Sequence, residues 1–552
     1  MAKRSVRFVG GVALVVASVF GVHPAGAPIQ AQTAGPGPVM LNEMRMTRAA
    51  AHEVGAETFT PANWWNTAWR FRVPVTVSAN GVQREDKPAE VALDFTSLLT
   101  TLGRSGSLEA NSLRVLEVNG QGDVVDDSVV FQFDEASDFN AAANAEGTLI
   151  VLMEGMTAAS ASRYYHVYFD TTDNGPFTPL AFTPQITVTD NISHEAQSSF
   201  KIQTQNATYY YHKQGAGFAS LDDTEGKDWI GYHPGGGSAG EYRGIPNLGD
   251  WAHPGYPVTG TLGATSTLSN TGPLKATLYS ITTNGQWSLT WEMYPTYARM
   301  TLLTRPSGGK YWFLYEGTPW DQLNPGRDYY VLSNGIRQYV LNDETVTLSA
   351  DLASPEWIYF GDDLTNRVLF VAHHEDDTQP DYFRQMQDNM TVFGFGRQDP
   401  CCTKYLSAVP AHFTIGFGVS STITQTLNSA YINLSVSQGQ PEELNRAPVL
   451  NTIGDKTVEA GSTLTFMVSA SDPDGAVPGL SASDLPGTAT FVDHGSGTGT
   501  FNWTPTVADV GNHLITFMAA DGAATDSETI SITVTSIPVT GGYEVFLPLI
   551  RK

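Results

Sequence analysis

Cysteine is almost absent from this 552-residue chain: there are two, Cys401 and Cys402, and they are adjacent. That excludes a disulfide scaffold and a zinc centre built on thiolates. The pair allows a strained vicinal disulfide, but two idle thiols are the expectation. Basic residues are scarce, with 30 Lys+Arg against 56 Asp+Glu and a net charge of -26. A nucleic-acid partner needs a basic face and is excluded, and an anionic membrane surface is disfavoured. An acidic polysaccharide is not excluded, because a local basic pocket can sit inside an acidic field. No run downstream of the N-terminus approaches the roughly 20 apolar residues of a spanning helix, so no transmembrane span is expected in the mature chain. No Gly-x-Ser-x-Gly elbow occurs, which disfavours a serine hydrolase of the usual triad type. Apolar residues make up 41% and aromatics 11% of the chain, ample for packed cores.

The N-terminus reads as an export signal. Lys3, Arg4 and Arg7 precede an apolar stretch from Phe8 to Val22, and Ala25-Gly26-Ala27 supplies a small-x-small cleavage site. Removal of residues 1–27 and a secreted, extracellular or cell-surface location are expected. Residues 28–62, rich in Ala, Gly, Pro and Thr, read as a linker. From Trp64 the pattern alternates: Phe71, Val73, Val75 and Val77 share one face and end at the turn dipeptide Asn80-Gly81. Further short runs (Val91 to Phe95, Leu113 to Val118, Val129 to Phe133, Leu149 to Met153, Tyr164 to Phe169) predict an accessory β-sandwich over 63–182. Residues 185–440 hold most aromatics and many strand-like runs, too large for one immunoglobulin-like unit, and predict a large central two-sheet β-sandwich. Only Tyr382 to Met390 hints at a helix. A third β-module is expected over 445–536, with a tail at 537–552. The fold class is therefore all-β and multidomain.

Chemistry is expected in the central domain. Tyr211, Lys213 and Trp229 lie in a strand-and-turn cluster with His212; Tyr242 and Arg243 lie in Gly240 to Leu248, where the guanidinium offers a planar fork for a carboxylate beside a ring that can stack on a sugar. In Tyr311 to Trp320, Tyr311, Phe313 and Tyr315 share the face that suits a core, while Trp312, Leu314 and Glu316 share the other. Glu316 near Trp320 is a candidate acid/base beside a stacking ring. Phe370 to Asp377 ends an apolar strand in His373-His374-Glu375-Asp376-Asp377. Adjacent histidines on a regular strand face opposite ways, so only one of the two enters a given pocket. For metal binding here, a solvated acidic turn is the favoured reading.

Three segments carry resemblances. Trp69 to Val77 resembles the opening strand of β-sandwich modules in secreted bacterial proteins, and Val545 to Lys552 resembles a short terminal signature found on some of them. From Asn445, the pieces Val458-Glu459-Ala460-Gly461, Ser469 to Gly475, Thr500 to Pro505 and Ala519 to Gly522 resemble a cadherin-like or immunoglobulin-like module of bacterial surface proteins. That resemblance implies a calcium site at Glu459, Asp472, Asp474, Asp521 and Asp526. The central domain, through Gly217 to Leu221 and Trp291 to Met300, resembles the β-sandwich of galactose-mutarotase-like proteins and polysaccharide lyases. It implies a glycan partner, with Tyr211 or His374 as base and Lys213 or Arg243 neutralising a uronate. Two readings compete: a secreted glycan-processing enzyme of lyase type, towards which the residues lean, and a non-catalytic extracellular glycan-binding or adhesion protein.

Overall fold

The computed structural model describes residues 64–235, 243–249, 251–253, 263–341, 346–386, 390–398 and 403–537. The residues expected to form an export signal and linker, Tyr242, the cysteine pair and residues 538–552 lie outside the described residues. The described chain is all-β apart from short helical segments, and is organised in several discrete sheets. No helix among the described residues is long and apolar enough to cross a membrane.

The accessory sandwich packs a sheet containing Phe71–Ser78, Ser162–Phe169 and Arg114–Val118 over a three-stranded sheet of Arg84–Asp94, Glu146–Thr157 and Phe131–Glu135. Alternation places Phe71, Val73, Val75 and Val77 in one core with Val91, Leu93, Leu149, Val151 and Val167. Its sheet is completed from far along the sequence. Ser435–Gln438 and Glu442–Glu443 both pair with Phe71–Ser78. The sequence assigns residues up to 440 to the central domain, whereas 435–443 belongs to the accessory sheet. These polar residues show no strand periodicity of their own, and only the waiting edge of Phe71–Ser78 organises them.

The central domain is two nine-stranded antiparallel sheets face to face. The first runs, in spatial order, Val346–Ala350, Asp381–Met386, Met390–Phe395, Phe313–Gly317, Gly244–Asn247, Gly217–Asp223, Ala207–His212, Gln197–Thr204 and Ile186–His194. The second contains Ala264–Thr271, Ala276–Thr282, Ser288–Met293, Tyr297–Thr304, Ala411–Val419, Arg367–His373 and Trp357–Asp362. Aromatics join them, with Phe218 edge-on to Trp291 at 4.7 Å and Phe313 stacked on Phe413 at 4.2 Å. Such pairs add about 0.5–1.5 kcal/mol each beyond area burial. The helix suggested at Tyr382 to Met390 is instead the strand Asp381–Met386 leading towards Met390–Phe395, because Tyr382 and Phe383 are buried between neighbouring strands.

Two polar devices fix the accessory sandwich against the central domain. Glu90 accepts from Lys275 Nζ at 2.8 Å, Tyr294 at 2.8 Å and Arg299 at 3.1 Å. Arg84, fully buried, donates to Ser429 O at 2.9 Å and Ile432 O at 2.8 Å, at the C-terminal end of the helix Ile423–Tyr431. A cation there satisfies carbonyls the helix cannot bond itself. In the C-terminal module, two four-stranded sheets enclose Phe501, Trp503, Phe517 and Ile532.

If 435–443 is an integral strand of the accessory sheet, residues 64–182 produced alone should melt at a lower temperature than the same segment fused to 433–444. Thermal unfolding by circular dichroism checks this, and identical melting of the two would contradict it.

Candidate functional site

The pleat of the first sheet sorts its side chains into two sets. Tyr209, Tyr211, Phe218, Phe313, Tyr315, Phe393 and Phe395 point into the core. The opposite face carries Tyr210, His212, Trp312 and Glu316 by the same alternation, and Ser220 and Asp222 because a bulge at Ala219 reverses the facing beyond Phe218; His212, Ser220, Trp312 and Glu316 are themselves buried. This outer face is where polar and aromatic groups gather.

At one end, four side chains form a chain of contacts. His212 Nε2 lies 3.2 Å from His194 Nδ1, and His194 Nε2 lies 3.2 Å from Ser220 Oγ. Ser220 donates to Asp228 Oδ2 at 2.9 Å. Since the hydroxyl proton goes to Asp228, the network assigns the His194 proton to Nε2 and leaves Nδ1 as acceptor. Tyr210 stacks on the His194 ring at 4.2 Å. Asp228 also accepts from the N–H groups of Leu221, Ile230 and Gly231, which folds the 224–231 loop against the sheet. Burial holds His194 below its ordinary pKa, so it is neutral at pH 7. Asp222, half-buried and two residues from Ser220, is pushed up to about 6 by burial and then by the charges of Asp228 and Asp223.

Alongside, Glu316 is buried and accepts from His253 Nε2 at 2.8 Å and Asn247 Nδ2 at 3.2 Å. Asn247 Oδ1 in turn lies 3.3 Å from Trp312 Nε1. Glu316 faces Gly244 across the ladder, so Arg243 and Glu316 sit on adjacent strands. Arg243 donates to Gly231 O at 3.0 Å, and a Cβ on Gly231 would stand 2.9 Å from its guanidinium. Three strand steps of about 4.8 Å separate the Glu316 strand from that of His212.

The expected residues distribute unevenly. Glu316 lies on this face; Arg243 bonds Gly231 O and lies in the field of Tyr315 and Asp228, so the two are not brought into contact. Trp320 packs against the core and the 224–231 loop, where its indole donates to Glu225 at 3.0 Å and Lys227 and Arg327 lie 5.2 and 5.7 Å from the ring. Glu316 is thus bonded to His253 and not to the Trp320 neighbourhood. Trp229 is fully buried, donating to Asp223 at 2.9 Å while its carbonyl accepts from Tyr315, so it holds the loop and offers no stacking face. Tyr211 is fully buried with its hydroxyl on Ser280 Oγ at 2.7 Å, and burial raises its pKa, the opposite of what a base needs. Lys213 pairs with Asp190 and bonds Asn191 at 2.9 Å, a surface pair. His374 follows a strand of the second sheet, bonded to Thr414 at 2.7 Å and held by burial at about 3. The base roles expected of Tyr211 and His374 therefore do not match their positions. The outer-face groups His194, Ser220, Asp222, Asp228 and His253 were not singled out, because cross-strand contact leaves no trace in linear spacing.

The five expected calcium ligands do not converge. Asp474 pairs with Arg446 at 2.6 Å. Asp472 accepts from Asp474 N at 2.6 Å. Asp521 accepts from Ala523 N and Ala524 N, closing its turn. Asp526 accepts from Leu450 N, and Glu459 ends a strand paired with Thr525–Thr535. Among the described residues, the group whose ligand atoms all lie within 4.8 Å of one another is Glu356, His373 and Asp377. This cluster could coordinate a cation. It belongs to the acidic run for which a solvated turn was favoured, yet Glu356 and His373 are buried.

His373 stands between two carboxylates, 2.7 Å from Glu356 and 3.3 Å from Glu375. Burial lowers its pKa, but these bonds outweigh it and raise it to about 9. The imidazolium therefore stabilises the fold fully below about 6.5, and that contribution is lost as pH rises through about 9. The melting temperature should fall over this window, and the fall should be smaller in His373→Gln. Equal pH dependence in both proteins would contradict the assignment.

Residues 447–535 match a family described as "Putative Ig domain". No curated protein matches the chain. Among solved structures, a chimeric titin Z1Z2 functionalized with an exogenous decorin peptide is similar at 21% identity, over 17% of this chain and 99% of its own, with a TM-score of 0.15. The endo-fucoidan hydrolase MfFcnA4 from glycoside hydrolase family 107 is similar at 16% identity, over 50% of this chain and 39% of its own, with a TM-score of 0.15. A second such hydrolase, MfFcnA9, is similar at 14% identity over 38% of this chain, with a TM-score of 0.14. The chain spans 32% of that enzyme's length, so both matches are partial.

Proposed function

We propose that the chain is a secreted carbohydrate-active protein whose central domain processes a polysaccharide on the outer face of the first sheet. The observation that carries this reading is the juxtaposition of a neutral His194, the raised carboxyl of Asp222 and the Asp228-anchored loop that bears on Arg243. A carboxyl moved towards neutrality near a neutral imidazole on a polar, aromatic-lined face is what proton transfer at a sugar requires.

In a lyase-type elimination, Arg243 would hold the uronate carboxylate, which acidifies the neighbouring C–H. His194 Nδ1 would accept that proton if the buried His212 ring beside it turns aside, and Asp222 would protonate the departing glycosidic oxygen. The C–H and C–O bonds break as a C=C bond forms, so no further reactant is needed. Ser220 and Asp228 position the His194 ring. Calcium, expected by resemblance, has no role in this scheme.

A binding-only reading draws on a different observation. Arg243 and Glu316 already bond protein groups, as in a rigid recognition surface. The two readings separate by experiment. Incubating the protein with acidic and neutral polysaccharides should yield absorbance near ~235 nm from an unsaturated uronate, and Asp222→Asn should lower kcat/KM by about 100-fold or more with melting unchanged. Retention on a glycan gel without product favours the binding reading, and neither signal across the panel contradicts both.

A further inference from the structure

A cavity of about 260 Å³ lies against the second sheet, away from the outer face of the first, between Arg84–Asp94 of the accessory sandwich, Arg367–His373 and Ala411–Val419 of the central domain, and the helix Ile423–Tyr431. Its walls include two cations, Lys87 and Arg367, only 7% and 9% exposed. Neither forms an ion pair with a carboxylate among the described residues. Lys87 Nζ donates to Tyr297 OH at 2.7 Å. Arg367 Nη2 donates to Asn206 O at 3.2 Å, and its Nε is buried with no partner.

In a chain carrying a net charge of -26, neither basic side chain at this cavity holds a carboxylate at ion-pair distance among the described residues; Glu90 acts on Lys87, and Asp223 and Glu225 on Arg367, only over longer range. An uncompensated buried charge costs several kcal/mol. Burial, and then Arg84 and Arg299, lower the Lys87 pKa well below its ordinary value against the weaker pull of Glu90. The acids that reach this cavity are Glu85, exposed at its rim, and Asp86, whose carboxylate accepts from Gly155 N at 2.8 Å. Thr422, the N-cap of the helix, also lines the cavity and makes no side-chain capping bond, leaving the positive helix end facing this region. Phe370 and Phe417 provide apolar wall, and Gln425 and Thr426 offer hydroxyl-compatible partners.

We infer that this cavity binds a small carboxylate about the size of one sugar ring, with Arg367 and Lys87 as its counterions. The anion bridges accessory sandwich, central sheet and helix, so its binding stabilises their junction. This site stands independently of the outer-face chemistry, and either can fail alone.

Titration calorimetry of the full mature chain tests it, with glucuronate as probe, glucose as the uncharged ring and sulfate as the ringless anion. Glucuronate should bind and raise the melting temperature, glucose should give no heat, and sulfate should bind at least about tenfold more weakly. Arg367→Gln should weaken glucuronate binding by about tenfold or more. Gln425→Trp, at a half-buried position, should block the cavity and abolish binding if Arg367→Gln proves unstable. No heat from glucuronate, equal binding of glucose or sulfate, or unchanged binding in a folded variant would each overturn the inference.

Discussion

The two-residue period of a β-strand is the constraint on which the central domain depends. In Ala207–His212 it sends Tyr209 and Tyr211 into the core and turns Tyr210 and His212 to the opposite face, where His212 is itself covered. A one-residue slip would bury the outer-face polar groups and expose the aromatic core, so register and site are specified together. The core face holds that register through stacked rings such as Phe313 on Phe413. Rigid backing of this kind lets weak contacts, among them His194 to Ser220, keep a defined geometry.

Much of the fold was legible because alternation is a local signal. The run Phe71, Val73, Val75, Val77 and the split of Tyr311 to Glu316 into a core set and an outer set follow from residue type and period alone. The return of 435–443 to the accessory sheet was not legible, since Ser435 to Gln438 acquires its strand only from a partner some 360 residues away. The suggested helix at Tyr382 failed for a related reason: tertiary pairing overrode a weak local pattern.

Site residues were legible by type more than by place. Arg243 and Glu316 stand out by type among their neighbours in sequence, and the structure gives them separate partners, Gly231 O for one and His253 and Asn247 for the other. Tyr211 and Trp229 attracted attention for the same polar-aromatic surroundings, and the pleat and the Asp223 bond carry them inside. Nothing in the linear spacing of Asp222 and Asp228 marks them as a pair. What sets them apart is their bridge across the 224–231 loop, where burial first and the like charges of Asp228 and Asp223 second raise the Asp222 pKa. Elsewhere the same physics serves structure: Glu90 is held down to about 2, its burial outweighed by Lys275 and Arg299, at the junction of sandwich and sheet.

The central claim is that the outer face of the first sheet holds a proton-transfer site. It is tested most directly by titrating the Asp222 carboxyl by carbon-13 NMR in the unliganded protein. The account predicts a midpoint of about 6, moving towards the ordinary carboxyl range in Asp228→Asn as the neighbouring charge is removed. A midpoint near the ordinary value of 3.8 in the unaltered protein, insensitive to that substitution, would contradict it.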